Sequence, residues 1–426
     1  MSQDDINLTN PSFFAHGDPH AIWSRLRSED PVHWTEGRLA KKFWSVTRYA
    51  DAKFVLMNDN RIFSVQQAGA NLPMGPEFEN PDDSLFTRLA RSAQQLATMD
   101  GQPHSALRRY FSAGFTSTSV NSLDALIRQI SDEIFADILA RGSCDFTTEY
   151  AGRLPTAVIA AILGVPRELW DDLYRWNNMI AAPEDPEFSI GTPLETSTAG
   201  VMDIMRTVVE LAEQRRAAPR DDLLSALIKA EIDGAPLTDT QIGFNGLMFF
   251  AAGHETTRAS MSIGLSELLK DPEQLAWLRA NRHDPQILRT AAEEFVRYSA
   301  PLTHTLRTVT EDVVVGGQQM REGDWAVVWF HAANRDPEVF KNPDKFDVRR
   351  NPNPHLGFAV GKHFCLGSHL ARLDMAIMLG AILEQMEDIE LAGPTEWASS
   401  NLFWGIKHMP IRFRARGDLG AGRVAA

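Results

Sequence analysis

The sequence predicts a mainly α-helical chain carrying small β-sheets, and three observations carry that prediction. Long stretches place apolar residues three or four apart, the spacing of one helix face. Strand-like runs are few and short. The composition, 44% hydrophobic and 23% charged with no internal repeat, is that of an ordinary globular protein.

The elements follow in chain order. The start, MSQDDINLTN, is acidic and polar and lacks the basic and apolar regions of a signal peptide. PHAIWSRLRSED (19–30) has helical spacing, and KKFWSVTR (41–48) reads as a strand. About 30 residues between Ile62 and Thr98 lack a firm pattern, and a loop that long inside a compact domain is often functional. HSALRRYFSAGF (104–115) and VNSLDALIRQISDEIFADILARG (120–142) are helical, the second stopped by Gly142. TAVIAAILGV (156–165) has the length of a core helix. Helical spacing returns over 197–215, 238–270, 286–299 and 366–386. Between them, VVVGG (313–317), WAVVWF (325–330) and MPIRFR (409–414) read as strands. EFENPDDS (77–84) and APEDPEFSIGTP (182–193) read as loops. Residues 1–10 and 416–426 are expected to be flexible. The length allows two or three domains, but no linker is visible, so one domain over 1–426 is expected.

Charge and composition exclude several functions. With 42 Lys+Arg against 56 Asp+Glu the formal net charge is −14, which repels phosphate backbones, so no nucleic acid partner is expected. No apolar run approaches the ~18 residues a membrane span needs, so no membrane insertion is expected. Two cysteines cannot build a disulfide framework, which places the chain in a reducing cytoplasm.

One of those cysteines sits in FAVGKHFCLG (358–367). A lone cysteine is most often a buried small hydrophobe. A zinc site would need about four ligands, and no second cysteine lies near. The glycines around Cys365 suit another task. Gly361 and Gly367 let backbone approach the sulfur, and the helical pattern that follows sets its positive end beside it. A thiolate with one open side is a natural axial ligand for haem iron.

At this point the chain resembles a known family. FAVGKHFCLG is similar to the haem-binding loop of the cytochrome P-450 monooxygenases, Phe-Gly-x-Gly-x-x-x-Cys-x-Gly. It keeps Phe358, Gly361, Cys365 and Gly367 and departs at Ala359, where the family has glycine. Alanine tolerates positive φ poorly, so the turn before Cys365 is expected to be shaped differently.

AAGHETT (251–257) lies inside the long apolar pattern. Ala252, Gly253 and Thr256 fall on one helix face and leave room for something flat. By itself the stretch reads as a packing Thr and a solvent-facing Glu. It resembles the family's central distal helix, and the resemblance gives Glu255 and Thr256 the roles of an acid–alcohol proton relay. His254 is read as structural. In EEFVR, Glu294 and Arg297 are three apart and can pair. By resemblance they lock to a downstream arginine, here Arg350, and support folding and haem retention. His104, Arg108, Arg307 and His363 match positions that hold the haem carboxylates, which need charge-assisted partners. Arg109 is left on the surface.

The resemblance covers about residues 18–414. It implies the triangular, mainly helical P-450 fold with small β-sheets, and haem b between the Ala252–Thr256 helix and the Cys365 loop. It further implies a monooxygenase that inserts one atom of dioxygen into a hydrophobic molecule such as a terpenoid, steroid or polyketide, by hydroxylation first of all. Phe249, Leu302, Leu402 and Phe403 would line its pocket. No dinucleotide fingerprint is present, so two electrons must come from outside, by resemblance from a ferredoxin and its reductase. Arg108, Arg109, Lys362 and Arg372 form a basic cluster able to steer such an acidic partner. A peroxide-driven peroxygenase, a non-catalytic haem gas sensor or ligand carrier, and a haem-free helical protein are the rival readings.

Overall fold

The helix Asp239–Lys270 is the axis of the molecule. The computed structural model describes residues 3–37, 41–59, 61–72 and 93–416. Eight helices position the site: α1 (Gly101–Ser112), α2 (Asp124–Arg141), α3 (Arg153–Leu163), α4 (Trp170–Ala181), α5 (Pro193–Ala217), α6 (Asp239–Lys270), α7 (Pro285–Ser299) and α8 (Ser368–Gln385). A capping box starts α6: Thr238 accepts from the Gln241 N–H while Gln241 accepts from the Thr238 N–H. Most of α6 is buried, including Phe249, Phe250 and the run Thr257–Ser266, so it carries no polar face. α3, α4, α5, α7 and α8 pack around it in one hydrophobic core.

The β elements form small sheets. Strands β1 (Val32–Thr35), β2 (Phe43–Val46), β3 (Phe63–Ser64), β5 (His304–Val309) and β6 (Trp325–Trp329) make one sheet in the order β1-β2-β6-β5-β3. Only β6 and β2 run parallel. Strands β4 (Ser143–Asp145), β7 (Met386–Leu391) and β8 (Pro410–Ala415) make a second, antiparallel sheet in the order β7-β8-β4.

The strands expected over 41–48, 313–317, 325–330 and 409–414 are present as Phe43–Val46, Val313–Val315, β6 and β8. Gly142 ends α2 in the left-handed conformation, φ 68°. The first ten residues, expected to be flexible, contain the helix Gln3–Leu8 with Leu8 fully buried. Within the pattern-poor stretch 62–98, residues 73–92 lie outside the described residues, as do 417–426 of the tail.

Candidate active site

Cys365 sits in the loop between the short 3-10 turn Gly361–His363 and α8. Its backbone N–H donates to the Phe358 carbonyl at 2.9 Å, which closes the loop on itself. Two left-handed residues make that turn: Ala359 at φ 52° and Gly361 at φ 80°. The alanine therefore keeps a positive φ rather than reshaping the turn, and the loop bears the strain. Gly361 is a requirement of a different kind, because a Cβ there would stand 2.5 Å from the Leu56 carbonyl oxygen.

Burial pushes the Cys365 thiol up, against the Gly367 N–H and the charges of Arg108 and Arg372. The helix end alone therefore does not make the thiolate expected from the sequence. A bound cation would, since coordination deprotonates a thiol. The other cysteine, Cys144, is buried on β4 and pushed up to about 12 by that burial.

On α6, Ala252 stands exposed between the half-buried Ala251 and Gly253, in a helix most of which is buried. Thr256, half-buried, donates its hydroxyl hydrogen to the Ala252 carbonyl at 2.8 Å. Gly253 does not share that opening. A Cβ there would meet Ile159 of α3 at 2.7 Å, so Gly253 serves helix packing. Glu255 is 1% exposed and does not face solvent. Its Oε1 accepts from Arg258 Nη2 at 2.6 Å. His254 is equally buried, with Nδ1 2.7 Å from Thr156 Oγ1.

The residues read as carboxylate partners divide. His104 of α1 and His363 lie ring to ring, with centroids 4.3 Å apart. Both His104 nitrogens and His363 Nε2 have no hydrogen-bond partner among the described residues. Burial, then His363 and Arg108, lower His104 to about 4. The His104 imidazole, buried and without a partner, suits an anionic carboxylate. Arg108 is half-buried and donates to the Phe364 carbonyl at 2.5 Å. Arg307 is engaged elsewhere: it pairs with Asp59 and also donates to Thr305 Oγ1 and the Leu306 carbonyl. An open helix face, a cysteine loop and the unspent His104 imidazole fit a haem bearing carboxylates, with His363 beside it 3.8 Å from Asp100.

The support behind the loop is dense. Glu294 takes Arg297 Nε and Nη2 at 2.7 and 2.8 Å and Arg350 Nε at 3.1 Å. Next to it Glu293 pairs with Arg372 of α8 and lies 2.8 Å from His355 Nε2. The Arg372 guanidinium lies 4.4 Å over the Phe358 ring. Glu293, His355 and Arg372 thus tie α7 and α8 to the cysteine loop, a set the sequence reading missed. Their numbers are far apart and no local spacing marks them. Arg372 is accordingly not free for a docking surface, whereas Arg109 and Lys362 are exposed.

Of the four expected pocket residues, three come together. Leu302 bridges Phe403, and the Thr303 N–H donates to the Leu402 carbonyl. Phe249 is elsewhere, 5.2 Å from Phe111 and 5.8 Å from Phe115.

Comparison with known proteins places this architecture. The cytochrome P450 family model matches residues 188–388. A steroid C26-monooxygenase of Mycolicibacterium smegmatis is 35% identical over 403 residues, 92% of this chain and 90% of that protein. A linalool 8-monooxygenase of Pseudomonas putida is 30% identical, over 95% of this chain and 98% of that protein. Among solved structures, the Mycobacterium marinum cytochrome P450 CYP268A2 in complex with pseudoionone superposes with a TM-score of 0.86 at 32% identity, covering 96% of this chain and 98% of that one. The chain belongs to the cytochrome P450 family. It is a P450 monooxygenase whose cofactor is haem with a cysteine thiolate as axial ligand.

Proposed function

We propose that this monooxygenase hydroxylates a hydrophobic steroid, terpenoid or polyketide-like molecule. It would take two electrons from a ferredoxin reduced by its reductase. The overall change is R–H + O2 + 2 electrons + 2 protons to R–OH + water. Haem, when bound, supplies the activation of dioxygen; the chain supplies position, charge and protons. Cys365 would be its ligand, and Phe358, Gly361 and Ala252 would shape its seat. His104, Arg108 and His363 would be its carboxylate partners, while Arg307, expected as a fourth, is held by Asp59. Thr256 donates at the exposed face beside Ala252, and Glu255 behind it feeds protons. Leu302, Leu402 and Phe403 offer an apolar wall, and relatives named for oxidising a steroid and linalool support that substrate class. The reaction would run in a single domain in the cytoplasm, in keeping with two unpaired cysteines. No helix among the described residues is long and apolar enough to cross a membrane.

The observation that carries the reading is the hydroxyl of Thr256 at an opening in an otherwise buried helix, with a buried carboxylate one residue before it. A peroxygenase would need neither. Thr256→Ala is expected to keep consuming electrons while product falls about tenfold and hydrogen peroxide accumulates. Unchanged product per electron pair removes Thr256 from the relay. Peroxide-driven turnover matching the electron-driven rate would favour the peroxygenase. Exposed Arg109 and Lys362 would meet the acidic donor, so its reduction rate should fall with salt. A salt-independent rate would refute that docking.

A further inference from the structure

Glu255 is embedded in a polar seam between α4 and α6. Arg258 is one turn along α6, and the two side chains are 3% and 2% exposed at a separation of 2.6 Å. Neighbouring glycines gauge how closely the pair is held. A Cβ at Gly152 would meet Tyr174 Cε2 at 2.8 Å and Arg258 Cδ at 3.0 Å. A Cβ at Gly405 would meet Ala259 Cβ at 2.8 Å and Glu255 Oε1 at 3.7 Å. The pair is therefore clamped between Tyr174 of α4, the turn before α3 and the 401–405 segment.

The same seam concentrates unspent polar atoms. Glu255 Oε2, Arg258 Nε and Nη1 and His254 Nε2 are buried without a hydrogen-bond partner among the described residues, and Tyr174 Oη stands beside the Arg258 guanidinium. Both amide atoms of Asn177 and Oδ1 of Asn178, which share α4 with Tyr174, are likewise buried without a partner among the described residues. Such atoms make this a polar seam, in which ordered water would complete their hydrogen bonds. Glu255 is anchored through Oε1 by Arg258, and its Oε2 lies 3.8 Å from His254 Nε2 within that seam.

We propose that Arg258 is the positioning residue of the proton relay. It fixes the Glu255 carboxylate so that Oε2 meets the polar seam, and Tyr174 holds the guanidinium in place, so the seating of α4 governs proton supply. This rests on the reading of Glu255 as the relay acid. Arg258 is permanently charged and carries no proton itself. The groups that face Glu255 are Arg258 and His254 from α6, Tyr174 from α4, and the uncharged Gly405 from the C-terminal segment. Burial, then Arg258, lower His254 to about 3, so His254 is neutral near pH 7 and cannot replace the guanidinium as counter-charge.

The test compares holoenzymes carrying Arg258→Gln, Arg258→Lys, Glu255→Gln and the double Glu255→Gln/Arg258→Gln. The first readout is the infrared band of a protonated carboxyl in the resting protein, which needs no turnover. Arg258→Gln leaves a buried carboxylate without its cation, so it should take up a proton and show a new band that the double variant lacks. The second readout is product per electron pair, expected to fall about tenfold in Arg258→Gln and to recover in Arg258→Lys. Because Arg258 acts through Glu255, the double variant should be no worse than Glu255→Gln. Additive losses, or wild-type coupling with no new band in Arg258→Gln, overturn the proposal while the relay stands. Full coupling in Glu255→Gln overturns the relay reading itself. Should Arg258→Gln fail to bind haem, Tyr174→Leu frees the guanidinium and keeps its charge. It should lower coupling about threefold, and wild-type coupling there overturns the proposal.

Discussion

Glu294→Gln is a nearly isosteric change with a large expected cost. The Glu294 side chain has no exposed surface. Its Oε2 accepts from Arg297 Nε at 2.7 Å, Arg350 Nε at 3.1 Å and Asn353 Nδ2 at 3.1 Å. Its Oε1 accepts from Arg297 Nη2 and the Asp347 N–H, both at 2.8 Å. Every partner is a donor, so a glutamine must turn its own NH2 toward at least two of them. Two guanidinium groups also lose the carboxylate between them. Breaking a buried pair from one side costs about 3–5 kcal/mol; the orphaned donors are part of that figure and are not added to it. Against a total stability of about 5–15 kcal/mol, most of the margin disappears. The same arginines hold the carbonyls of Asn334, Lys341, Asn342, Pro343 and Lys345, the segment that leads to the cysteine loop. Urea unfolding followed in parallel by far-UV dichroism and the Soret band checks this. Haem loss should precede loss of helix, at a midpoint well below that of the parent. A destabilisation below about 1 kcal/mol would refute the reasoning, because it would mean the buried charges are solvated some other way.

Two further outcomes follow from the site. At Ala359 (φ 52°), relief of about 1–2 kcal/mol of left-handed strain outweighs the about 0.5–1 kcal/mol of extra chain freedom that glycine brings. Ala359→Gly should therefore raise the urea midpoint slightly and leave the haem spectrum unchanged; a lowered midpoint contradicts the strain argument. Burial opposes the charge on Glu293, but hydrogen bonds from His355 and Arg372 outweigh it and hold the group at about 2. The folded value lies below the unfolded one of about 4.3. Its stabilisation, on the order of 3 kcal/mol, is therefore complete above that pH and is lost as pH falls from there toward about 2. Acid unfolding of Glu293→Gln should lack this part of the slope, and a slope equal to the parent's would contradict the pairing.

What the sequence made legible is what short spacing encodes. The cysteine loop is ten consecutive residues, and its glycine at 361 is demanded by a backbone contact any side chain would violate. The helices over 238–270 and 286–299 carry their period and caps locally, so their bounds were readable to within a few residues. Glu294 and Arg297 are one turn apart and meet for that reason. The Glu255–Arg258 pair has the same spacing and was open to the same argument. β5 was not legible. All six of its residues are buried, so the alternation that marks a half-exposed strand is missing.

The rest was decided by packing. Arg307 meets Asp59 across 248 residues, and Arg372 meets Glu293 across 79. Gly253 lies against Ile159 because α3 crosses there, and Phe249 turns to α1 rather than to Leu302 and Phe403. Ala359 holds a conformation its own preferences disfavour because the 356–365 loop is closed at both ends, by Ala359 N–H to the Leu356 carbonyl and Cys365 N–H to the Phe358 carbonyl. Residues one helical turn apart are brought together by backbone geometry, which the chain writes locally. A partner tens or hundreds of residues away is chosen by which faces the whole core buries against one another, and only the tertiary structure decides that.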